Sequence, residues 1–387
     1  MSKTHVFELD YMRAIAMLGV IGIHTGAFAV ANPEVNVHFF GLVDIITRFS
    51  VPIFFFISAF GLFINYDFDK PFSYSTFLNR RIHTVLTPYL TWSALYTAHQ
   101  YWVDTTLPPL TFSELGRLLF YGLGSYHLYF LIILLWFYLL MPVWRMLIQV
   151  IINKPIPYLT VLYLLQAAFN YYSIEVLQAN TGIEWLDMLI TYRLNYLILH
   201  YFFIFLLGGV CGALYPRFLS FLTTWRLPIL CAGILNTAIL LGYYYYLIFQ
   251  QGYTCIAAVY TLHQLHPLGL AHTLTTTLFL FSEFHNARLK ANSNPGLAML
   301  HALGANSYVI YLVHPLFMYY LTTWINAHFS ILTVPVNIFF YLTAAILSYI
   351  FSVMLCSAGK YLTLLNIFTG LPSTGVAPTR RPPSAAA

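Results

Sequence analysis

The chain has 387 residues, of which 60% are hydrophobic and only 7% charged, with a formal net charge of +5. Soluble domains carry roughly 25% charged residues, so the composition excludes a water-soluble globular protein and makes lipid the main solvent. Aromatics reach 18%, in keeping with membrane–water boundaries where Tyr and Trp keep their polar tips wet. A span needs about 20 mostly apolar residues. Read in chain order, the sequence predicts spans near 9–30, 38–64, 83–103, 126–150, 156–175, 196–215, 227–249, 264–283, 303–326 and 333–357. The eighth is interrupted at its start by His266, Pro267 and His272. The runs are too long and too evenly apolar for barrel strands. The expected fold is therefore all-α: a polytopic integral membrane protein of about ten transmembrane helices, with residues 1–360 as the membrane domain and 361–387 as a largely disordered cytoplasmic tail.

Lys and Arg in the short loops fix the direction. With the N-terminus in the cytoplasm, Lys3, Lys70, Arg80, Arg81, Arg145, Lys154, Arg217, Arg226, Arg288, Lys290, Lys360, Arg380 and Arg381 lie inside, and only Arg117 and Arg193 outside. Ten spans return the C-terminus to the cytoplasm, so both termini are expected there, in a multi-pass protein of the cell membrane. Residues 1–29 imitate a signal peptide that ends at Ala27-Phe28-Ala29. Glu8, Asp10 and Arg13 at the start of the apolar stretch, and His24 within it, favour a retained first span. Leu371-Pro372-Ser373-Thr374-Gly375 resembles a sortase anchor, but no apolar tail follows it. The cysteines Cys211, Cys231, Cys255 and Cys356 lie far apart and form no CxxC, so neither a disulfide framework nor a structural zinc site is expected.

An ionisable residue at membrane depth costs on the order of 2.5–3.5 kcal/mol on insertion scales and calls for a reason. The first span carries Arg13 near its cytoplasmic end and His24 eleven residues on. That spacing places both on one helix face, about 16 Å apart along the axis. Snorkelling and hydrogen bonding to a neighbouring helix would account for them structurally. The functional reading is a charged entry point below and a proton-transfer group above. Asp44 and Arg48 share a face of the second span. They either neutralise each other or, since their depth resembles that of His24, Asp44 orients its imidazole. Arg80 and Arg81 follow the second span, where they serve either topology and anionic lipid or a phosphate clamp. The loop at 104–125 holds Glu114-Leu115-Gly116-Arg117 and an apolar run, Leu118–Leu123, short enough to dip back into the membrane. His127 and Tyr129 open the fourth span. Ser307, Tyr311 and His314 lie on the ninth, where Pro315 predicts a kinked helix facing a cavity.

Together these segments resemble the membrane-bound acyltransferase 3 family, bacterial O-acyltransferases of cell-envelope glycans. Leu9-Asp10-Tyr11-Met12-Arg13-Ala14-Ile15-Ala16, with His24 after it, is similar to the family's opening Leu-Asp-x-x-Arg-x-x-Ala and distal His. Phe55-Phe56-Ile57-Ser58-Ala59-Phe60 resembles Phe-Phe-x-x-Ser-Gly-Phe, with Ala59 where Gly is usual. Phe77-Leu78-Asn79-Arg80-Arg81-Ile82 through Pro88-Tyr89 resembles the arginine loop. His127-Leu128-Tyr129-Phe130 resembles His-Leu-Trp-Phe-Leu with Tyr in place of Trp, and Tyr311-Leu312-Val313-His314-Pro315 matches Tyr-Leu-x-His-Pro. The resemblance implies the stand-alone type and transfer of an acyl group, usually acetyl, from cytoplasmic acyl-CoA to a hydroxyl of a cell-envelope glycan on the outer face. It places Arg80, Arg81 and Phe77 at the CoA phosphates. It puts Arg13 beside the donor channel and His24 at the acceptor hydroxyl as base, or as the carrier of a covalent acyl group. Arg48, Glu114, His127, Tyr129, Ser307, Tyr311 and His314 become substrate-site candidates, those from the fourth and ninth spans as oxyanion donors. No metal and no nucleic-acid partner is expected. The chief rival is a transporter or flippase of a glycan or lipid intermediate, which would also need polar groups at membrane depth; a scaffold with purely structural polar residues is the third reading.

Overall fold

The computed structural model describes residues 5–30, 37–290, 294–329 and 332–372. Lys3, Arg380, Arg381, the end of the sortase-like stretch and the tail from 373 on lie outside the described residues. All secondary structure described is helical. The first half comprises α1 (Phe7–Val30), α2 (Val37–Thr47), α3 (Ser50–Phe63), α4 (Tyr74–Arg81), α5 (Thr87–Val103), α6 (Phe112–Tyr121), α7 (Tyr129–Leu139), α8 (Met141–Ile151) and α9 (Pro155–Tyr171). The second comprises α10 (Glu184–Thr191), α11 (Arg193–Tyr196), α12 (Phe202–Ala213), α13 (Tyr215–Thr224), α14 (Arg226–Phe249), α15 (Cys255–Thr261), α16 (Pro267–Lys290), α17 (Pro295–His328), α18 (Val334–Ala358) and α19 (Asn366–Thr369).

Among the described residues, five stretches are long and apolar enough to cross a membrane: α1, α2 with α3, α14, α17 and α18. Two bent pairs, α7–α8 at 69° and α12–α13 at 101°, raise the number to seven if each is one span. The protein is thus an all-helical, multi-pass membrane protein. Of the remaining expected spans, α5 and α9 have 17 residues each. The third, α16, is diluted by His272 and the threonines between 273 and 277.

Proline explains where the expected continuous spans break. Proline lacks the N–H that would bond four residues back, and each break lies just before one. The second span turns at Arg48–Phe49 ahead of Pro52, the fourth bends at Leu140 ahead of Pro142, and the sixth ends at Leu214 ahead of Pro216, where α13 turns away. In α17, by contrast, Pro315 sits inside a single 34-residue helix.

The core is aromatic and lies between α1, α3, α7, α12 and α17. Phe137 of α7 stacks on Phe205 of α12 with ring centroids 4.2 Å apart and planes within 10°. Gly208 lets the backbone of α12 reach that of α3, since a Cβ there would strike the Phe56 carbonyl. Gly304 does the same for α17 against the Asp10 carbonyl of α1. Such small-residue crossings replace the hydrophobic drive that lipid does not supply. The inner helices are the polar-bearing ones, whereas α14 and α18 leave most of their length uncovered by protein.

Two expectations about the periphery take a definite form. The 104–125 loop contains α6, an amphipathic helix that packs on α5 through a Tyr89 hydroxyl donating to the Leu119 carbonyl at 2.6 Å. The packed chain also runs past residue 360: α19 docks on α5, where Trp92 Nε1 donates to the Phe368 carbonyl at 3.0 Å, and Asn366 and Thr369 are buried.

Candidate active site

Arg13 projects from α1 into a cavity of about 340 Å³ lined also by Phe54, Ser58, Arg81, Phe130, Tyr138, Ser307, Tyr308 and Tyr311. Asp10, one helical turn back, accepts from Arg13 Nη1 at 2.6 Å and so aims the guanidinium. Arg81 reaches the same cavity from the end of α4. Its guanidinium lies over the Tyr138 ring at 4.7 Å and the Phe77 ring at 5.1 Å. Two aromatic faces hold a planar cation in place, and its Nε is buried without a hydrogen-bond partner among the described residues. Ser58 and Tyr138 bond across the cavity wall at 2.9 Å. The cavity therefore offers two guanidinium groups and several hydroxyls, a set suited to phosphate or a polar carbonyl. Arg80, adjacent in sequence, is exposed and not among the lining residues.

Beyond Phe130 and Tyr311 lies a layer of three imidazoles from three distant segments. His24 stacks on His314 with centroids 5.5 Å apart and planes at 21°. His314 meets His127 edge-on at 5.3 Å, and Tyr126 packs on His24 at 4.7 Å. Tyr311 joins the layer to the arginine cavity: it lines that cavity, its ring is 4.9 Å from His127, and its hydroxyl donates to the His127 carbonyl.

Local sequence sets the tautomer of His314. The Tyr311 carbonyl would normally accept from the N–H four residues on, but that residue is Pro315. His314 Nδ1 takes the vacated place, donating to the Tyr311 oxygen at 2.7 Å. A carbonyl only accepts, so the proton sits on Nδ1 and Nε2 keeps its lone pair. Nε2 of His314 is buried without a partner among the described residues. The same holds for Nε2 of His127, whose Nδ1 faces Ser125 Oγ at 3.1 Å. Buried polar atoms are rarely left unpaired, so these nitrogens are open to a further polar partner.

On its other side His24 lines a cavity of about 310 Å³ with Asp44, Arg48, Tyr129, Tyr260 and Gln264. Asp44 shares this cavity with His24, but its hydrogen-bond partner among the described residues is Arg48, whose Nε donates at 2.5 Å. Both side chains are almost fully buried against each other, so each meets its counter-charge where water does not reach.

The expected site residues thus divide. Arg13, Arg81, Ser307 and Tyr311 share one cavity, with Arg81 packed against Phe77, while His24, Asp44, Arg48 and Tyr129 share the other, with His127 and His314 between. Arg80 and Glu114 stand apart. Glu114 caps α6: Thr111 donates to it through N at 2.8 Å and Oγ1 at 2.7 Å, which hold its carboxyl below the usual range. Sequence reasoning did not single out Ser58, Tyr126 or Tyr138 as site residues. Ser58 and Tyr126 lie inside segments that carry the family resemblance; Tyr138 has no signal beyond its place in an apolar run.

The family model described as an acyltransferase domain matches residues 6–356, from the start of α1 almost to the end of α18. Comparison with the curated proteins and with the solved structures finds no match. The family match covers nearly the whole membrane-embedded body and every residue of both cavities, and the chain belongs to the acyltransferase 3 family of membrane acyltransferases.

Proposed function

We propose that this protein transfers an acyl group, acetyl in the first instance, from cytoplasmic acyl-CoA to a hydroxyl of a cell-envelope polysaccharide or glycolipid on the outer face. In this reading ten helical segments cross or enter the cell membrane and both termini face the cytoplasm, an orientation that the thirteen-to-two distribution of loop cations supports. The single observation that carries the proposal is the layered arrangement itself: a two-arginine cavity, a histidine layer, and a second polar cavity, with His24 in the wall of the second.

CoA phosphates fit Arg81, pre-placed between two rings, with Arg80 as an outer contact and Arg13 deeper in. The thioester arm passes Phe130 and Tyr311 to bring its carbonyl to the imidazoles. An acceptor hydroxyl in the Asp44–Arg48 cavity gives its proton to His24 while its oxygen attacks the carbonyl carbon. The C–S bond then breaks, and the sulfur leaves as CoA thiolate and takes up a proton. A positioned base contributes roughly 10²–10⁴-fold in rate. The donors open to the oxyanion in this reading are His127 Nε2 and the Tyr126 hydroxyl, since His314 Nδ1 and the Tyr311 hydroxyl already donate to the Tyr311 and His127 carbonyls. The test is CoA release from acetyl-CoA by the reconstituted protein with and without envelope glycan. His24→Ala is expected to abolish glycan acylation while CoA binding persists; full activity of that variant would sink the mechanism. A transporter would move its cargo without releasing CoA.

A further inference from the structure

Outside the two cavities, two imidazoles and a carboxylate gather at the N-terminal end of α1. His5 Nε2 lies 2.9 Å from Asp10 Oδ2, and His301 Nδ1, from the first turns of α17, lies 3.0 Å from the same oxygen. The three potential ligand atoms all fall within 4.8 Å of one another. We propose that His5, Asp10 and His301 form a binding site for a divalent ion of borderline softness, zinc above all.

An ion fits these residues better than a plain ion-pair cluster on three grounds. First, Asp10 is oversubscribed as a simple anion. Its Oδ1 already pairs with Arg13 at 2.6 Å, and its Oδ2 faces imidazole nitrogens of both His5 and His301 at 2.9 and 3.0 Å, more donors than one carboxylate oxygen pairs well. Second, the hydrogen bonding does not close. His301 Nδ1 is buried and 3.0 Å from Oδ2, yet it makes no aligned hydrogen bond among the described residues. That leaves the Nδ1 lone pair open beside the ligand atoms of His5 and Asp10, and an ion bound among the three satisfies it. Third, the donor set is chemically apt. Two imidazoles and one carboxylate are the ligands of three-residue zinc sites that leave a fourth position to water. Imidazole also selects against magnesium, which prefers oxygen. His5 is 46% and His301 31% exposed at the side chain, so ion and water can enter, while Asp10 is 3% exposed and fixed by Arg13.

The ion would staple α1 to α17 at the point where Gly304 already brings their backbones together. It would also fix Asp10, and through it the Arg13 guanidinium at the arginine cavity.

Tag-free, full-length protein in detergent, stripped with EDTA and dialysed, is titrated with zinc chloride in competition with a chromophoric chelator, with magnesium chloride as control. One equivalent of zinc is expected to bind, and magnesium not to compete. Loss of an outer-shell partner alone costs about 10–100-fold in affinity, so His301→Ala and His5→Ala are each expected to weaken binding by at least about tenfold. Zinc-edge absorption on the loaded wild type is expected to show nitrogen and oxygen ligands at about 2.0–2.1 Å with imidazole scattering, a readout that does not depend on any variant folding. Absence of saturable binding, a shell without imidazole, or unchanged affinity in the His5→Ala/His301→Ala double variant would overturn the site.

Discussion

Arg81→Ala and Arg80→Ala should differ sharply, although the two residues are neighbours in the sequence. The Arg81 guanidinium is held 4.7 Å and 5.1 Å from two ring centroids at the wall of a 340 Å³ cavity, so little ordering remains to be lost when an anion binds. A hydrogen bond to a charged group is worth about 1.5–3 kcal/mol, and each 1.4 kcal/mol is tenfold in affinity. Arg81→Ala is therefore expected to raise the KM for acetyl-CoA by roughly 10–150-fold. Arg80 is exposed. An exposed ionic contact is worth about 0.2–1 kcal/mol, so Arg80→Ala should raise KM less than about fivefold and lose that effect in high salt. Arg81→Lys should fall between, because lysine keeps the charge but not the planar stack. The assay is CoA release in proteoliposomes over a range of acetyl-CoA concentrations, at low and high ionic strength. An Arg80→Ala effect equal to or larger than that of Arg81→Ala would refute the reasoning.

Other expectations follow from local geometry. His314→Ala removes the donor to the Tyr311 carbonyl, which Pro315 cannot replace, and should cost about 1–3 kcal/mol of stability in a thermal or denaturant melt. Adding Pro315→Ala restores an N–H at that carbonyl, so the double variant should be more stable than His314→Ala while remaining low in activity. Gly208→Leu drives a side chain into the Phe56 backbone and should cost at least about 1–3 kcal/mol by overpacking, seen as a lowered Tm of the detergent-solubilised protein. Trp92→Phe deletes the bond to the Phe368 carbonyl and should cost about 0.5–1.5 kcal/mol, with faster proteolysis beyond residue 360.

Much of this architecture was legible in the sequence, because lipid makes polar residues conspicuous. Arg13 and His24 stand out by their cost alone, and the structure places each in the wall of a cavity. The helix breaks were also encoded, by Pro52, Pro142 and Pro216, but a hydropathy window averages over them. What sequence does not carry is helix adjacency. The layer of His24, His127 and His314 draws on α1, the turn before α7, and α17, and nothing in their spacing predicts that the rings meet. Nor does it say which of Arg80 and Arg81 faces inward, since consecutive helical residues point about 100° apart. Depth alone suggests Asp44 as a partner for His24; the structure puts it in the His24 cavity but commits its carboxylate to Arg48. Glu114 could have been read more plainly, because Thr111-x-x-Glu114 is a capping box.

The central claim is transfer across the membrane at His24, and sidedness tests it most directly. Proteoliposomes of uniform orientation are given labelled acetyl-CoA on the face bearing the N-terminus and envelope glycan on the other. The account predicts labelled glycan only with the substrates on those opposite faces, and none with His24→Ala. Label transferred when both substrates share one face, or at wild-type level in the His24→Ala protein, would contradict it.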